Sequence, residues 1–261
     1  MEAELGINRE SIRRILRNDL HLKSYKLQTF QQLSNNDKKR RLEFCQMIRN
    51  MAGWRQMDIK TIIFSDESHI YLNGFMNKQN FRKWSPTKPV GVFEKPLHSP
   101  KVTVWCGFSS NRVYGPYFFQ DPDGNALTVT SDTYIEMLNT IFTGDIYPDR
   151  WFQQDGATAH TSLRSRTWLK SRFGNHVISH HVDFPWPARS PDLSPLDFFL
   201  WGYVKENVFR TRPDNIVNLK DTVREVISSI NQDILGAVVA NFEKRINLCI
   251  ENQGSHFEHL L

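Results

Sequence analysis

The chain of 261 residues predicts an α/β domain, a mixed sheet flanked by helices, preceded by a short basic helical head. Three observations predict it. Between residues 58 and 120, short runs alternate apolar with polar residues and are separated by turn residues, the pattern of neighbouring antiparallel strands. From 131 to 181, helical and strand-like runs alternate, which places helices on the faces of that sheet. The net charge of +5 sits entirely in the first fifty residues, where eleven Lys and Arg face six Asp and Glu; the remainder balances at twenty-two against twenty-two.

A hydrophobic fraction of 39% is enough to bury a full core in one large domain with a small appendage. No window of about 18 uncharged apolar residues exists, so the sequence predicts no membrane-spanning helix. The opening MEAELGINRESIRRIL carries charges where a signal peptide needs an apolar stretch. Cys45, Cys106 and Cys249 are far apart and form no CxxC pair, which points to a reducing compartment and away from a zinc site. A basic head on a neutral body fits contact with a polyanion, and equally a solvated helical face.

In the head, Gly6 reads as a turn and Asn8 as an N-cap. Ile12, Ile15 and Leu16 share one face of the helix that follows, with Arg9, Ser11, Arg13, Arg14 and Arg17 on the others. A DNA-reading second helix has this layout, but a first helix confined to Met1 to Leu5 makes the unit a partial helix-turn-helix remnant. Residues 21–32 read as a linker. Ser34 to Met51 reads as a helix with a Ser34/Asp37 capping box, its apolar side formed by Leu42, Cys45, Ile48 and Met51 and the run Lys38 to Arg41 opposite, as a solvated face. Strands are expected at Asp58 to Ser65, Ser68 to Leu72, Gln79 to Trp84, Lys101 to Ser109 and Val113 to Gln120, with turns at Asn73-Gly74, Ser85-Pro86, 109–111 and 121–124. A helix capped by Ser131 and running to Phe142, a strand at Asp149 to Gln154, a basic helix at Thr161 to Phe173 and a strand at His176 to His181 follow. Helices at Asn215 to Ile230 and Asp233 to Glu251 close the chain. The domain division is then 1–24 for the remnant, 25–57 for linker and helix, and 58–261 for the body.

Three acids carry the chemistry. Asp66 follows the strand-like Thr61 to Phe64. Asp155 ends the run Trp151 to Gln154 just before Gly156, and Asp197 sits in the first turn of a helix opened by Ser194 and Pro195. Carboxylates gathered from different elements, without cysteine or paired histidines, suit magnesium or manganese. Two such ions can serve a phosphodiester displacement. Taken singly, each acid also reads as a strand terminator, a turn acid or a helix-cap acid, and Asp192 is a rival to Asp197. Glu67 should point to the opposite face of its strand from Asp66. His160, just past Asp155, reads either as a neighbour that orients the site or as a structural hydrogen bonder. His180 and His181 read as structural, and Trp84, Trp186 and Trp201 as packing.

FSDES around Asp66, QQDGATAHTS around Asp155 and WPARSPDLSPLDFFLWGYVKENVF around Asp197 resemble the three acidic blocks of the Tc1/mariner transposases. LGINRESIRRILRNDLHLKSYKLQ resembles the end of that family's second helix-turn-helix. The resemblance implies a ribonuclease H-like fold and metal ligands Asp66, Asp155 and Asp197, the last because the family's third acid follows the SPDLxP segment. It implies two Mg2+ or Mn2+ ions, cleavage at terminal inverted repeats, strand transfer to a TA target, a homodimer and a nuclear location. An aspartate in third place resembles the mariner side. The 41 residues between Asp155 and Asp197 exceed the family's commonest spacing, with the extra length expected between Arg172 and Pro187. The first DNA-binding subdomain and most of the second are expected before Met1, so the chain reads as a truncated copy or one whose start is misassigned. A relic or co-opted protein that binds DNA without cutting it is the rival reading.

Overall fold

The computed structural model describes residues 8–21, 31–72, 100–144 and 147–261, and the chain divides into two compact units, 1–32 and 33–261. In the first unit, helix α1 (Arg9–Arg14) widens into a π-wound turn, Ile15–Asp19. Asn8 accepts the Glu10 N–H at 2.8 Å, a cap at the expected place. Ile15 is exposed and Leu16 half-buried, so the expected apolar face is largely uncovered among these residues. A helix this short has little with which to bury one. Gly6 and the span Met1 to Leu5 lie outside the described residues.

The second unit begins with α2 (Asn35–Gly53), opened by the expected capping box: Ser34 Oγ accepts from Asp37 N, and Asp37 accepts from Ser34 N. The charge run behaves otherwise than expected. Arg41 is fully buried, and the inward line is Asp37, Arg41, Phe44, Cys45 and Ile48, while Leu42 is only half-buried. The rotation brings Arg41 to a carboxylate that lies far along the chain, a partner no local pattern reveals.

The sheet has the order β3-β2-β1-β4-β5-β6. β1 (Ile62–Tyr71), β2 (Lys101–Phe108) and β3 (Val113–Phe118) form the antiparallel meander, while β4 (Trp151–Gln153), β5 (Val177–Ser179) and β6 (Phe184–Pro185) run parallel outward from β1. Two expected strands, Asp58 to Ser65 and Ser68 to Leu72, are one. Nothing turn-forming separates them, and β2 pairs with β1 without interruption from Phe64 to Tyr71. Asp58 instead caps a 3-10 turn, Ile59–Thr61. Asp66 therefore lies in mid-strand rather than at a strand end. The expected strand at Gln79 to Trp84 and its flanking turns lie outside the described residues.

On one face lie α3 (Ser131–Ile141), the single turn α4 (Thr158–Thr161) and α5 (Leu163–Phe173). Thr130 rather than Ser131 caps α3, and Ser162 breaks the expected 161–173 helix by capping α5. On the other face lie α6 (Trp201–Thr211), α7 (Ile216–Ser228) and α8 (Gln232–Glu251). Strand alternation divides the core accordingly: Ile62 and Phe64 join the α8-side cluster, where the ring centroids of Phe64 and Phe242 are 4.8 Å apart. Ile63 and Phe152 join the cluster of Trp105, Tyr134, Phe142 and Phe173. α2 packs along α8, so it belongs to the body. No helix among the described residues is long and apolar enough to cross a membrane.

Candidate active site

Register places the first two acids. In the parallel pair, Ile62 sits beside Trp151, Ile63 beside Phe152 and Phe64 beside Gln153. β4 stops there and β1 continues, with Ser65 Oγ donating to the Gln153 carbonyl at 2.7 Å. Two residues past the last pair, Asp66 continues along β1 and Asp155 follows the end of β4, close enough for the Asp155 charge to act on Asp66. By strand alternation Asp66 faces the α8 side of the sheet, and Asp155 lies in the turn just past β4. The third acid arrives on that side from a helix. Asp197 lies in a π-wound turn, Leu196–Leu200, that leads into α6, with its N–H donating to Ser194 Oγ at 3.3 Å. The Ser194 cap is as expected; the π winding is not.

The three aspartates lie within electrostatic reach of one another. Burial first, then the charges of Asp197 and Glu67, hold the Asp66 carboxyl well above the usual carboxylate range, against the pull of a hydrogen bond from Trp201. Trp201 Nε1 donates to Asp66 Oδ2 at 2.8 Å. Asp197 stands at the exposed rim, and its carboxyl is also raised, by partial loss of hydration and by Asp155; Ser194 and Lys205 oppose this. Asp155 goes the other way. Burial would raise it, but the hydrogen bond and charge of His160, with the Ala157 N–H, outweigh that and lower it.

His160 is the hinge of this asymmetry. It is 2% exposed, donates through Nδ1 to Asp155 Oδ1 at 2.6 Å, and meets Glu67 Oε1 through Nε2 at 3.2 Å. Its burial would lower its pKa, but Glu67 and Asp155 together raise it to about 10, which keeps the ring a cation with both nitrogens donating. Glu67 does point to the opposite face from Asp66, and that is how it reaches His160 from beneath. Below the loop, Tyr134 Oη donates to Gln154 Oε1 at 2.7 Å, and Gln154 Nε2 donates to the His160 carbonyl and to Ser179 Oγ. Glu67 and Gln154 are thus supporting residues to which the sequence assigns no role, although alternation already sends Glu67 across the sheet.

Asp192 is not part of the group. It is 5% exposed and held by Arg41 in a bidentate pair, both N···O distances 2.6 Å. Trp186 packs edge-on against Phe44, and Trp84 lies outside the described residues. Thr161 turns its hydroxyl to the Ala157 carbonyl. His180 and His181 follow β5 in ring contact, centroids 4.0 Å apart. In the other unit, Ser11 is half-buried and Arg13, Arg14 and Arg17 are exposed; the side chain of Arg9, like that of Ile12, lies outside the described residues.

All three acids offer oxygen, the donor set of hard divalent cations. Asp155 Oδ1 is taken up by His160 and Ala157 N, and Asp66 Oδ2 by Trp201. Among the described residues no three His, Cys, Asp or Glu side chains are closed around one point. The donors fit such a cation in chemistry and in mutual repulsion, which a cation would relieve.

No protein-family model matches the chain. The Mos1 transposase catalytic domain superposes with a TM-score of 0.65 at 17% identity, covering 88% of this chain and all of that one. The Mos1 mariner paired end complex with Mn gives 0.73 at 18% identity, covering 98% of this chain and 74% of that chain. The Tc3 transposase of Caenorhabditis elegans is 26% identical over 263 aligned residues, 97% of this chain and 73% of its own. The fold is therefore shared with the Mos1 catalytic domain and is the ribonuclease H-like fold expected from the sequence. In sequence, the chain is similar to transposases of transposable elements, as the resemblance of its acidic blocks to the Tc1/mariner transposases implies.

Proposed function

We propose that the chain cuts phosphodiester bonds at transposon ends and joins the freed 3′ hydroxyl to target DNA, the activity of a DDD-type transposase. The observation that carries this reading is that Asp66 on β1, Asp155 just past β4 and Asp197 in the turn leading into α6 lie within electrostatic reach of one another. These three would hold magnesium or manganese, two ions on the present reading. The Mos1 structures solved with Mn and with Mg support a divalent metal. Bound there, the metal supplies positive charge to the developing phosphorane and acidifies an attacking water or hydroxyl. The protein's own part is positioning. His160 fixes the rotamer of Asp155, Trp201 fixes that of Asp66, and Asp197 at the rim is the acid most open to incoming DNA.

The partners follow from the same reading: inverted-repeat ends and a TA target, bound by a homodimer. The paired-end complexes of Mos1 support an assembly of this kind. Arg9, Ser11, Arg13, Arg14 and Arg17 would contact the DNA, and the working place would be the nucleus. The test is incubation of the chain with nicked or branched DNA and Mg2+. Cleavage that vanishes in Asp155→Ala is the expected result. Tight DNA binding with no cleavage in either Mg2+ or Mn2+ would overturn the enzyme and leave a co-opted DNA-binding protein.

A further inference from the structure

Beside the acids lies a groove that no step above uses. One wall is a face of α5, where Leu163, Arg166, Thr167 and Lys170 follow one another at helical spacing; the other is the chain after β5, with His181 and Asp183. The cavity between them has a volume of about 290 Å³. α5 reads LRSRTWLKSRF and carries no acid. Its buried side, Ser165, Leu169 and Phe173, seats the helix on the sheet and turns Arg166 and Lys170 to the groove.

Arg166 is the telling group. Its NH1 donates to the His181 carbonyl at 3.3 Å, but its Nε is enclosed and has no hydrogen-bond acceptor among the described residues. The enclosed Nε is out of a ligand's reach, but the charge of a guanidinium held at the groove wall, offset within the groove by Asp183 alone, favours an anion there. Asp183 is the acid on the facing wall, so the lining holds two fixed cations against one anion, with His181 between.

The groove also runs toward the site. His181 adjoins His180, and a Cβ built on Gly156 would come within 3.6 Å of the His180 Cβ, so the groove wall packs on the turn that carries Asp155. We propose that this groove holds backbone phosphates of the DNA strand a few nucleotides from the one presented to the aspartates, with Arg166 and Lys170 as the phosphate contacts. This rests on the function proposed above.

The test measures binding of a labelled 30-base-pair duplex to the whole chain by fluorescence anisotropy across a salt series, without divalent metal. Each phosphate contact contributes about 0.9 to the slope of log affinity on log salt. The variant Arg166→Gln/Lys170→Gln should therefore lower the slope by about 2, and the affinity lost between about 50 and 200 mM salt should shrink about tenfold relative to the parent. Lys39→Gln/Lys244→Gln, the same charge change on α2 and α8, should leave the slope unchanged, and circular dichroism melts should show all variants folded. Asp183→Asn should tighten binding. An unchanged slope in the groove variant overturns the proposal. So does a thermal shift with inorganic phosphate that the groove variant abolishes while its DNA slope stays as in the parent, since that marks a site for a free anion. A parent that fails to cleave DNA but shows the slope change in the groove variant supports the groove and defeats only the transposase reading.

Discussion

Replacing Asp192 by Ala should cost the body of the protein several kcal/mol, although the residue lies outside the proposed metal site. Arg41 has no solvent exposure and Asp192 has 5%. The guanidinium spends NH1 and NH2 on the two carboxylate oxygens at 2.6 Å and Nε on the Gly254 carbonyl at 2.9 Å, while Arg245 NH1 holds the Asp192 carbonyl at 2.8 Å. Removing one partner of such a buried pair leaves an uncompensated charge and costs about 3–5 kcal/mol. For a domain of this size that corresponds to a melting temperature lower by about 6–20 °C. Urea unfolding followed by tryptophan fluorescence should show a lower midpoint with an unchanged m-value. The double change Arg41→Met/Asp192→Leu removes both charges together and should recover stability to within about 1 kcal/mol of the parent. A single-variant loss under about 1 kcal/mol, or a double variant no better than the worse single one, would refute the reasoning.

Three other outcomes are expected. Asp66→Asn removes a buried charge crowded by Asp197 and Glu67, so the metal-free protein should gain about 1 kcal/mol by urea unfolding while losing any stabilisation by Mg2+; equal melting curves with and without Mg2+ in the parent would contradict this. His160 is held protonated up to about 10 against 6.5 for a free imidazole. Its contribution is therefore complete below 6.5 and lost as pH rises through 10, while the contribution of the depressed Asp155 is lost as pH falls below 3.8. The gap in urea midpoint between parent and His160→Gln should accordingly be widest near pH 5.5 and close toward pH 10, and a gap constant with pH would count against the pairing. Trp201→Phe keeps the ring in the core but deletes the hydrogen bond to Asp66; metal affinity measured by calorimetry should fall about tenfold, and an unchanged affinity would show the indole to be packing alone.

Much of this arrangement is legible in the sequence because local rules govern it. The Ser34/Asp37 box, the Ser194 cap ahead of Asp197 and the alternation that sends Asp66 and Glu67 to opposite faces all depend on residues within a few positions of each other. The errors fall where a distant partner decides. Arg41 looks like part of a solvated charge run until Asp192, 151 positions away, meets it in the core. The expected break between Ser65 and Ser68 disappears because β2 pairs straight through it. The link from His160 to Glu67 spans 93 positions and has no local trace.

The Arg41 clasp bears on how far such a site can tolerate change in chain length. Asp197 is carried by a segment tied at Asp192 to α2 and α8 and capped at Ser194, so its location is dictated from the side of the helices. Between Asp155 and that segment, His160 and β5 are tied to the site and to the sheet, which leaves the loops after α5 and after β5 as the parts free to vary in length. Extra residues in those loops can be accommodated while Asp197 stays held from the side of α2 and α8, so the spacing between the second and third acids does not by itself set the geometry of the three carboxylates.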